Sequence, residues 1–133
     1  MPILRRSLLS LVAASPFLPN VVRAADAIDP RAERFVGKPD AKTAVHEYFS
    51  LTCTHCAAFA KETMPQVQKN LIDTGAVRWV FHDYPLDQLA LTAAMVARYL
   101  PVDRYEPFIN ALFATQNRWA FGRGGNPTDE LWN

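Results

Sequence analysis

The chain has 133 residues, of which half are hydrophobic and 20% are charged, with a formal net charge of +1. This length is enough for one domain with a core of its own. The charges are balanced and scattered, which argues against the basic surface that binds nucleic acids or anionic membranes.

Residues 1–24 are predicted to be a removable secretory signal peptide. They contain a charged segment with Arg5 and Arg6, a short apolar segment at 8–18 and a small-x-small cleavage site before Ala25. The apolar segment is too short, and too interrupted by serine and proline, to serve as a permanent membrane anchor. The two arginines suit either a Sec or a twin-arginine signal. Both routes predict a periplasmic or secreted protein.

Residues 25–40 are polar and rich in turn residues, with one short strand expected around 33–36. The next element is predicted to be a strand at 43–49, because this segment alternates and is rich in β-branched and aromatic residues. From Cys56 onward, apolar residues recur every three or four positions, which predicts a helix.

Pro65 interrupts this helical pattern and predicts a kink or break near Thr63. Gly75 is expected to end the helix. A third strand is predicted at 76–84, and its helical connection to the strand at 43–49 is of a length that indicates a parallel βαβ unit.

The remainder is predicted to be helical, at 86–100 and 104–121, followed by a loop at 122–125 and a further helix from Asn126. The apolar residues of the second helix are expected in the core rather than around a ligand, as is usual for a stripe at helical spacing. They are Phe108, Leu112, Phe113 and Trp119.

The chain has two cysteines, Cys53 and Cys56, and both lie where the strand predicted at 43–49 leads into the helix. With Thr52 as the predicted N-cap, Cys53 would occupy the first helical position. The unpaired N–H groups and dipole at a helix start stabilise a thiolate there. His55, when protonated, would add positive charge. We therefore predict that Cys53 is the exposed nucleophile and Cys56 the more buried resolving thiol.

A structural zinc site or an inert pair is the alternative for these cysteines. Structural zinc usually has four Cys or His ligands at paired spacings, and His46 and His82 lack that spacing. A Cys-x-x-Cys between a strand and a helix favours redox chemistry. We therefore expect no metal ligands, and no cofactor other than the Cys53–Cys56 disulfide itself.

Residues 47–56 read EYFSLTCTHC, which resembles the active-site segment of the DsbA family of thiol:disulfide oxidoreductases. Thr54 stands where many relatives have proline. Residues 34–41, RFVGKPDA, resemble the segment that leads into the fold of secreted members. The resemblance implies an α/β, thioredoxin-like fold in residues 25–133, with an inserted helical domain at about 86–133.

The resemblance also places Glu47 at the family's buried acidic residue, which shuttles a proton near the resolving cysteine. Burial would raise the pKa of this carboxyl group and suit it to that role. An exposed glutamate on an edge strand is the alternative.

A complete DsbA-like protein continues into more helix, two strands and a closing helix, and its first later strand follows a cis-proline beside the cysteines. No proline after Cys56 precedes a strand-like run, so we expect the C-terminal strands and helix to be missing and the domain to be incomplete. The strand at 43–49 would then keep an unpaired apolar edge that favours aggregation. This expectation is wrong if purified 25–133 unfolds cooperatively as a soluble monomer.

The leading hypothesis is an extracytoplasmic oxidase that donates its disulfide to unfolded or reduced secreted proteins through a mixed disulfide at Cys53. The resemblance implies a quinone-linked membrane partner that re-oxidises it. Three alternatives remain: a reductase or isomerase on the same fold, a secreted metal chaperone whose thiolates and His55 bind Cu(I), and an inactive fragment. Replacement of Cys53 by serine should abolish turnover.

Overall fold

A computed structural model describes residues 28–122, which form a three-stranded sheet and a set of helices. The strands are β1 (Arg34–Val36), β2 (Thr43–Phe49) and β3 (Val77–Asp83). Their order is β1-β3-β2, so β3 is central, antiparallel to β1 and parallel to β2. The predicted strands and the parallel βαβ unit are confirmed, and β2 lies at one edge of this sheet.

The chain is helical between β2 and β3, in four consecutive segments. These are α1 (Thr54–Ala58), a π-helical segment (Phe59–Thr63), α2 (Met64–Val67) and a second π-helical segment (Gln68–Ile72).

The break predicted near Thr63 takes a milder form, because the chain stays helical across Pro65. The turn that precedes the proline is π-helical and therefore wider, which makes room for the proline ring. Pro65 also lies in the first turn of α2, where a missing N–H costs little.

Gly75 ends this helical stretch, as predicted. It has a φ of 78°, a left-handed conformation that glycine adopts without strain. Its N–H donates to the Ile72 carbonyl, and the Ala76 N–H donates to the Leu71 carbonyl. The chain then enters β3 at once.

Up to Gly122, where the described part of the chain ends, three helices follow β3: α3 (Gln88–Arg98), α4 (Val102–Ala114) and α5 (Gln116–Trp119). The helix predicted at 104–121 is therefore two helices, divided at Thr115, whose φ of −108° and ψ of 12° leave the helical region. The predicted signal peptide, the loop after Gly122 and the helix from Asn126 lie outside the described residues.

The core lies between one face of the sheet and the helices. Phe49 of β2 packs edge-on against Phe81 of β3 and Phe113 of α4, with ring centroids 6.3 Å and 5.6 Å apart. The predicted core residues Leu112, Phe113 and Trp119 are buried, and Phe108 packs against them. Within residues 28–122, none of the helices is long and apolar enough to span a bilayer.

Candidate active site

Cys53 lies at the junction between β2 and α1, where the apolar end of the strand is anchored in the core. Its φ of −78° and ψ of 118° are extended, so Cys53 is itself the N-cap of α1. The backbone N–H of Cys56 donates to Cys53 Sγ at 3.3 Å. The prediction that Thr52 caps the helix and Cys53 begins it is wrong by one residue, because the backbone remains extended through Cys53.

Hydrogen bonds to its sulfur lower the pKa of Cys53. Hydrogen bonding from the Cys56 thiol lowers the pKa of Cys53, and the backbone N–H groups of Cys56 and His55 lower it further, against a smaller opposing effect of burial. Each of these donors stabilises the thiolate more than the thiol. Both cysteines are free thiols and are partly exposed.

Cys56 has the opposite character. Burial raises the pKa of Cys56 to about 11, and its hydrogen bond to Cys53 and the negative charge of Glu47 act in the same direction. The two thiols, three residues apart, are therefore strongly unequal as acids. Reactive thiols are those with depressed pKa values, whereas buried thiols in apolar surroundings are less reactive.

Glu47 lies on the core face of β2 and is partly buried. Trp79 of β3 donates its indole N–H to Glu47 Oε2 at 2.7 Å. Burial raises the pKa of Glu47, while this hydrogen bond partly opposes the shift. The carboxyl group thus has the burial that the family resemblance implied, and its charge is close enough to affect the Cys56 thiol.

The histidines are placed differently from one another. His55 is exposed in the first turn of α1. His82 contacts His46 and Tyr48 on the outer face of the sheet.

Sequence analysis missed Gln116, which holds the active-site loop from the far end of the chain. It is 3% exposed, and its Nε2 donates to the carbonyl of Leu51 at 2.8 Å and to that of Cys53 at 3.1 Å. A polar side chain among buried positions of a predicted helix is the signal that points to such a residue, since buried polar groups require partners.

Asp87 is a second residue that sequence analysis missed. Its Oδ1 caps α3 by accepting the Ala90 N–H at 2.7 Å, and its Oδ2 accepts the Thr52 hydroxyl at 2.6 Å. The hydrogen bond from Thr52 lowers the pKa of Asp87, as does the one from Ala90. Thr52 thus ties the active-site loop to α3 instead of capping α1.

The arrangement is suited to thiol–disulfide chemistry. It offers one accessible thiol that ionises readily, one that holds its proton, and a carboxyl group whose charge affects the second. Within residues 28–122, no three His, Cys, Asp or Glu side chains are grouped so that they could hold a metal ion.

Comparison with known proteins agrees with this chemistry. Residues 30–130 match the family model described as thioredoxin. A Rickettsia prowazekii protein named as a protein-disulfide oxidoreductase is 31% identical over 87 residues, which cover 65% of this chain and 32% of the relative. A protein of the same description from Rickettsia felis is also 31% identical, with 31% of its length covered.

Solved structures give the same result. The α-DsbA1 protein of Wolbachia pipientis aligns with a TM-score of 0.67 at 31% identity, covering 77% of this chain and 52% of that structure. BdbD of Bacillus subtilis aligns with a TM-score of 0.57 at 26% identity, covering 66% and 50%. The chain thus spans about a third of the length of the curated relatives and about half of these structures.

Proposed function

This chain belongs to the DsbA-like family of thioredoxin-fold proteins, and we propose that it is an extracytoplasmic thiol:disulfide oxidoreductase that oxidises secreted proteins. The observation that carries the proposal is the inequality of the two thiols. Hydrogen bonds lower the pKa of Cys53, whereas burial raises that of Cys56 to about 11.

The reaction begins with the disulfide form of the pair. A substrate thiolate attacks Cys53 Sγ, the more accessible sulfur, forming a mixed disulfide and breaking the Cys53–Cys56 bond. Cys56 leaves as a thiolate and takes up a proton, consistent with its raised pKa. Glu47 is the group proposed to supply that proton, because its own raised pKa lets it hold one.

A second substrate thiolate then attacks the substrate sulfur of the mixed disulfide. Cys53 leaves as a thiolate, the substrate gains a disulfide, and the chain is reduced by two electrons. A lower thiol pKa makes a better leaving group and stabilises the reduced form. The lowered pKa of Cys53 therefore favours the oxidising direction over reduction or isomerisation.

The substrates proposed are reduced or unfolded secreted proteins. Regeneration requires an oxidant, and a quinone-linked membrane partner is proposed for that role from the family resemblance. An export signal in residues 1–24 would bring the chain to the oxidising compartment where disulfides persist.

A redox titration tests the direction. The full chain is equilibrated in glutathione buffers, quenched by alkylation and analysed by intact mass. We expect a potential nearer to the roughly −120 mV of DsbA than to the roughly −270 mV of thioredoxin, and the latter value would indicate a reductant.

Matched variants test the roles of the two sulfurs. Cys53→Ser should abolish oxidation of a reduced substrate protein. Cys56→Ser cannot form the internal disulfide and should not oxidise a reduced substrate either. Offered a disulfide-bonded protein instead, its Cys53 thiolate should attack one sulfur, release the other as a thiolate and remain in the mixed disulfide, because no Cys56 thiol is present to resolve it. Turnover that survives Cys53→Ser would refute the assignment of the nucleophile.

A further inference from the structure

One hydrogen bond joins the start of α3 to the residue that precedes the reactive cysteine. Thr52 Oγ1 donates to Asp87 Oδ2 at 2.6 Å, although 35 positions separate the two residues. Asp87 is exposed and Thr52 is partly exposed, so both groups could hydrogen-bond to water instead, and burial does not account for the contact. We propose that Thr52 and Asp87 are positioning residues for disulfide exchange, which hold Cys53 so that its sulfur meets the first turn of α1. The inference rests on the proposed function and concerns the nucleophile of that reaction.

Thr52 belongs to the turn that carries the chain from β2 into α1. The Cys53 N–H donates to the Ser50 carbonyl at 3.0 Å, which closes a four-residue turn with Leu51 and Thr52 at its centre. Ser50 and Leu51 are buried, whereas the Thr52 side chain reaches the surface. Fixing the Thr52 side chain therefore fixes the direction in which the backbone enters Cys53.

The hydroxyl groups of this turn form a chain with a fixed direction. Hydrogen bonds from Thr52 and Ala90 lower the pKa of Asp87 and keep it ionised. An ionised carboxylate only accepts hydrogen bonds, so the single proton of the Thr52 hydroxyl goes to Asp87. The Ser50 hydroxyl, 3.2 Å from Thr52 Oγ1, must then donate to Thr52. Ser50 Oγ in turn accepts the backbone N–H groups of Leu86 and Thr52, each at 3.4 Å. The carboxylate of Asp87 thus orients both hydroxyl groups.

The turn is held from two sides by different helices. Gln116 of α5 donates to two carbonyl groups of the turn, at 2.8 Å and 3.1 Å, and thereby holds the backbone. Asp87, the N-cap of α3, holds the Thr52 side chain. Between these contacts, Cys53 keeps the φ of −78° and ψ of 118° that place its Sγ 3.3 Å from the Cys56 nitrogen.

This geometry favours the reduced state of the cysteine pair. The donors to Cys53 Sγ are the Cys56 thiol and the backbone N–H groups of Cys56 and His55, and all of them lower the pKa of Cys53. They lie in the first turn of α1, so the orientation of Cys53 decides how well they reach its sulfur. A thiolate carries a full negative charge and accepts these hydrogen bonds more strongly than a disulfide sulfur does. Loss of the contact between Thr52 and Asp87 should therefore destabilise the thiolate more than the disulfide.

Thr52→Val tests the contact, because valine has nearly the shape of threonine but no hydroxyl group, and the charge of Asp87 stays in place. The full chain is equilibrated with glutathione, two thiols of which reduce the Cys53–Cys56 disulfide to the dithiol and become one glutathione disulfide. We expect the equilibrium constant to shift by about two- to tenfold towards the protein disulfide, which is the size of one net hydrogen bond. The pKa of Cys53, measured by thiolate absorbance against pH, should rise.

Two matched variants isolate the hydroxyl group. Thr52→Ser keeps the donor and should keep both values near those of the parent. Thr92→Val removes a hydroxyl group that donates to the Gln88 carbonyl within α3, and it should leave both values unchanged. A role in stability alone would affect the oxidised and reduced forms equally and would move neither value. Circular dichroism establishes that each variant is folded.

Asp87→Ser tests the partner, because serine can still cap α3 but is too short to reach Thr52 as well. In the double variant, Thr52→Val should add little to the effect of Asp87→Ser, since residues that act through one contact are not additive. Unchanged values in folded Thr52→Val, a Thr52→Ser protein that behaves like Thr52→Val, or full additivity with Asp87→Ser would each overturn the proposal. The potential of the parent decides the direction of exchange separately, so a reductant-like parent would refute the proposed function while the comparison of variants still decides the positioning role.

Discussion

Trp79 of β3 donates its indole N–H to Glu47 of β2 at 2.7 Å. The two residues share the core face of the sheet, because Glu47 lies opposite Phe81 and Trp79 opposite Val45 in the parallel register. The hydrogen bond stabilises the ionised carboxylate in a site where burial disfavours it. Trp79 thus sets the position and the acidity of the group that is proposed to serve Cys56.

Replacement of Trp79 by phenylalanine should raise the pKa of Glu47 further, because burial would act without the opposing hydrogen bond. Hydrogen bonds to charged groups contribute about 1.5–3 kcal/mol, so the shift should be measurable by the pH dependence of the carboxylate infrared band. The pH profile of disulfide exchange should move upward with it.

Trp79 also stacks on Phe59, at 6.1 Å between centroids. Phe59→Leu therefore serves as the control that loses the stacking but keeps the hydrogen bond. An unchanged titration midpoint of Glu47 in Trp79→Phe would contradict the proposal that this hydrogen bond lowers the pKa of Glu47.

Glu47→Gln should increase the free energy of unfolding at neutral pH. Since burial raises the pKa of Glu47 in the folded state, the folded protein binds this proton more tightly than the unfolded chain does. The resulting stability is complete below the unfolded pKa and is lost as the pH rises through the folded pKa. Glutamine resembles the protonated form, so the variant should match the parent in acid and exceed it at neutral pH.

Urea denaturation across pH measures this difference. Glu62→Gln, which changes an exposed glutamate, is the matched control and should follow the parent throughout. A Glu47→Gln protein that is less stable than the parent at neutral pH would show that the ionised carboxylate is favourable in the fold.

Removal of the Cys56 thiol should raise the pKa of Cys53, because hydrogen bonding from Cys56 is the largest cause of its depression. Cys56→Ala tests this without introducing a hydroxyl donor, with thiolate absorbance followed against pH. In the reciprocal variant Cys53→Ala, the remaining thiol should stay protonated. With a pKa of about 11 in the intact pair, roughly one Cys56 in ten thousand is ionised at neutral pH.

Alkylation of the reduced parent at neutral pH should accordingly label Cys53 first. Equal labelling of the two cysteines in the folded protein would contradict the asymmetry that carries the proposed function.

Gln116→Ala should destabilise the protein by about 1–3 kcal/mol, because it removes the buried side-chain donor from the Leu51 carbonyl and leaves the Cys53 carbonyl with the Ala57 N–H alone. Urea denaturation of the reduced protein measures the loss. Gln116→Met, which keeps most of the volume but no donor, separates the hydrogen bonds from packing. The control variant is Asn117→Ala, at the exposed neighbouring position. An equal loss of stability in Asn117→Ala would contradict a specific contribution from the hydrogen bonds of Gln116.

The sequence by itself determined the local features of this protein. The alternation of residues 43–49 predicted β2 with its observed bounds, and Gly75 predicted the end of the helical stretch. The cysteine spacing between strand and helix indicated redox chemistry. Such features depend on residues that are neighbours in sequence, through strand periodicity, glycine conformation and hydrogen bonds at a helix start.

Only the tertiary structure decided which distant groups meet. Gln116 reaches Cys53 across 63 residues, and Trp79 reaches Glu47 across 32. Thr52 was predicted to cap the helix but donates to Asp87, 35 residues away. These pairs follow from sheet register and helix packing, which depend on burial of the whole core and leave no periodic signal in the sequence. The facing imidazoles of His46 and His82 have the same origin, because a shift of the β2–β3 register by one residue would place them on opposite faces of the sheet.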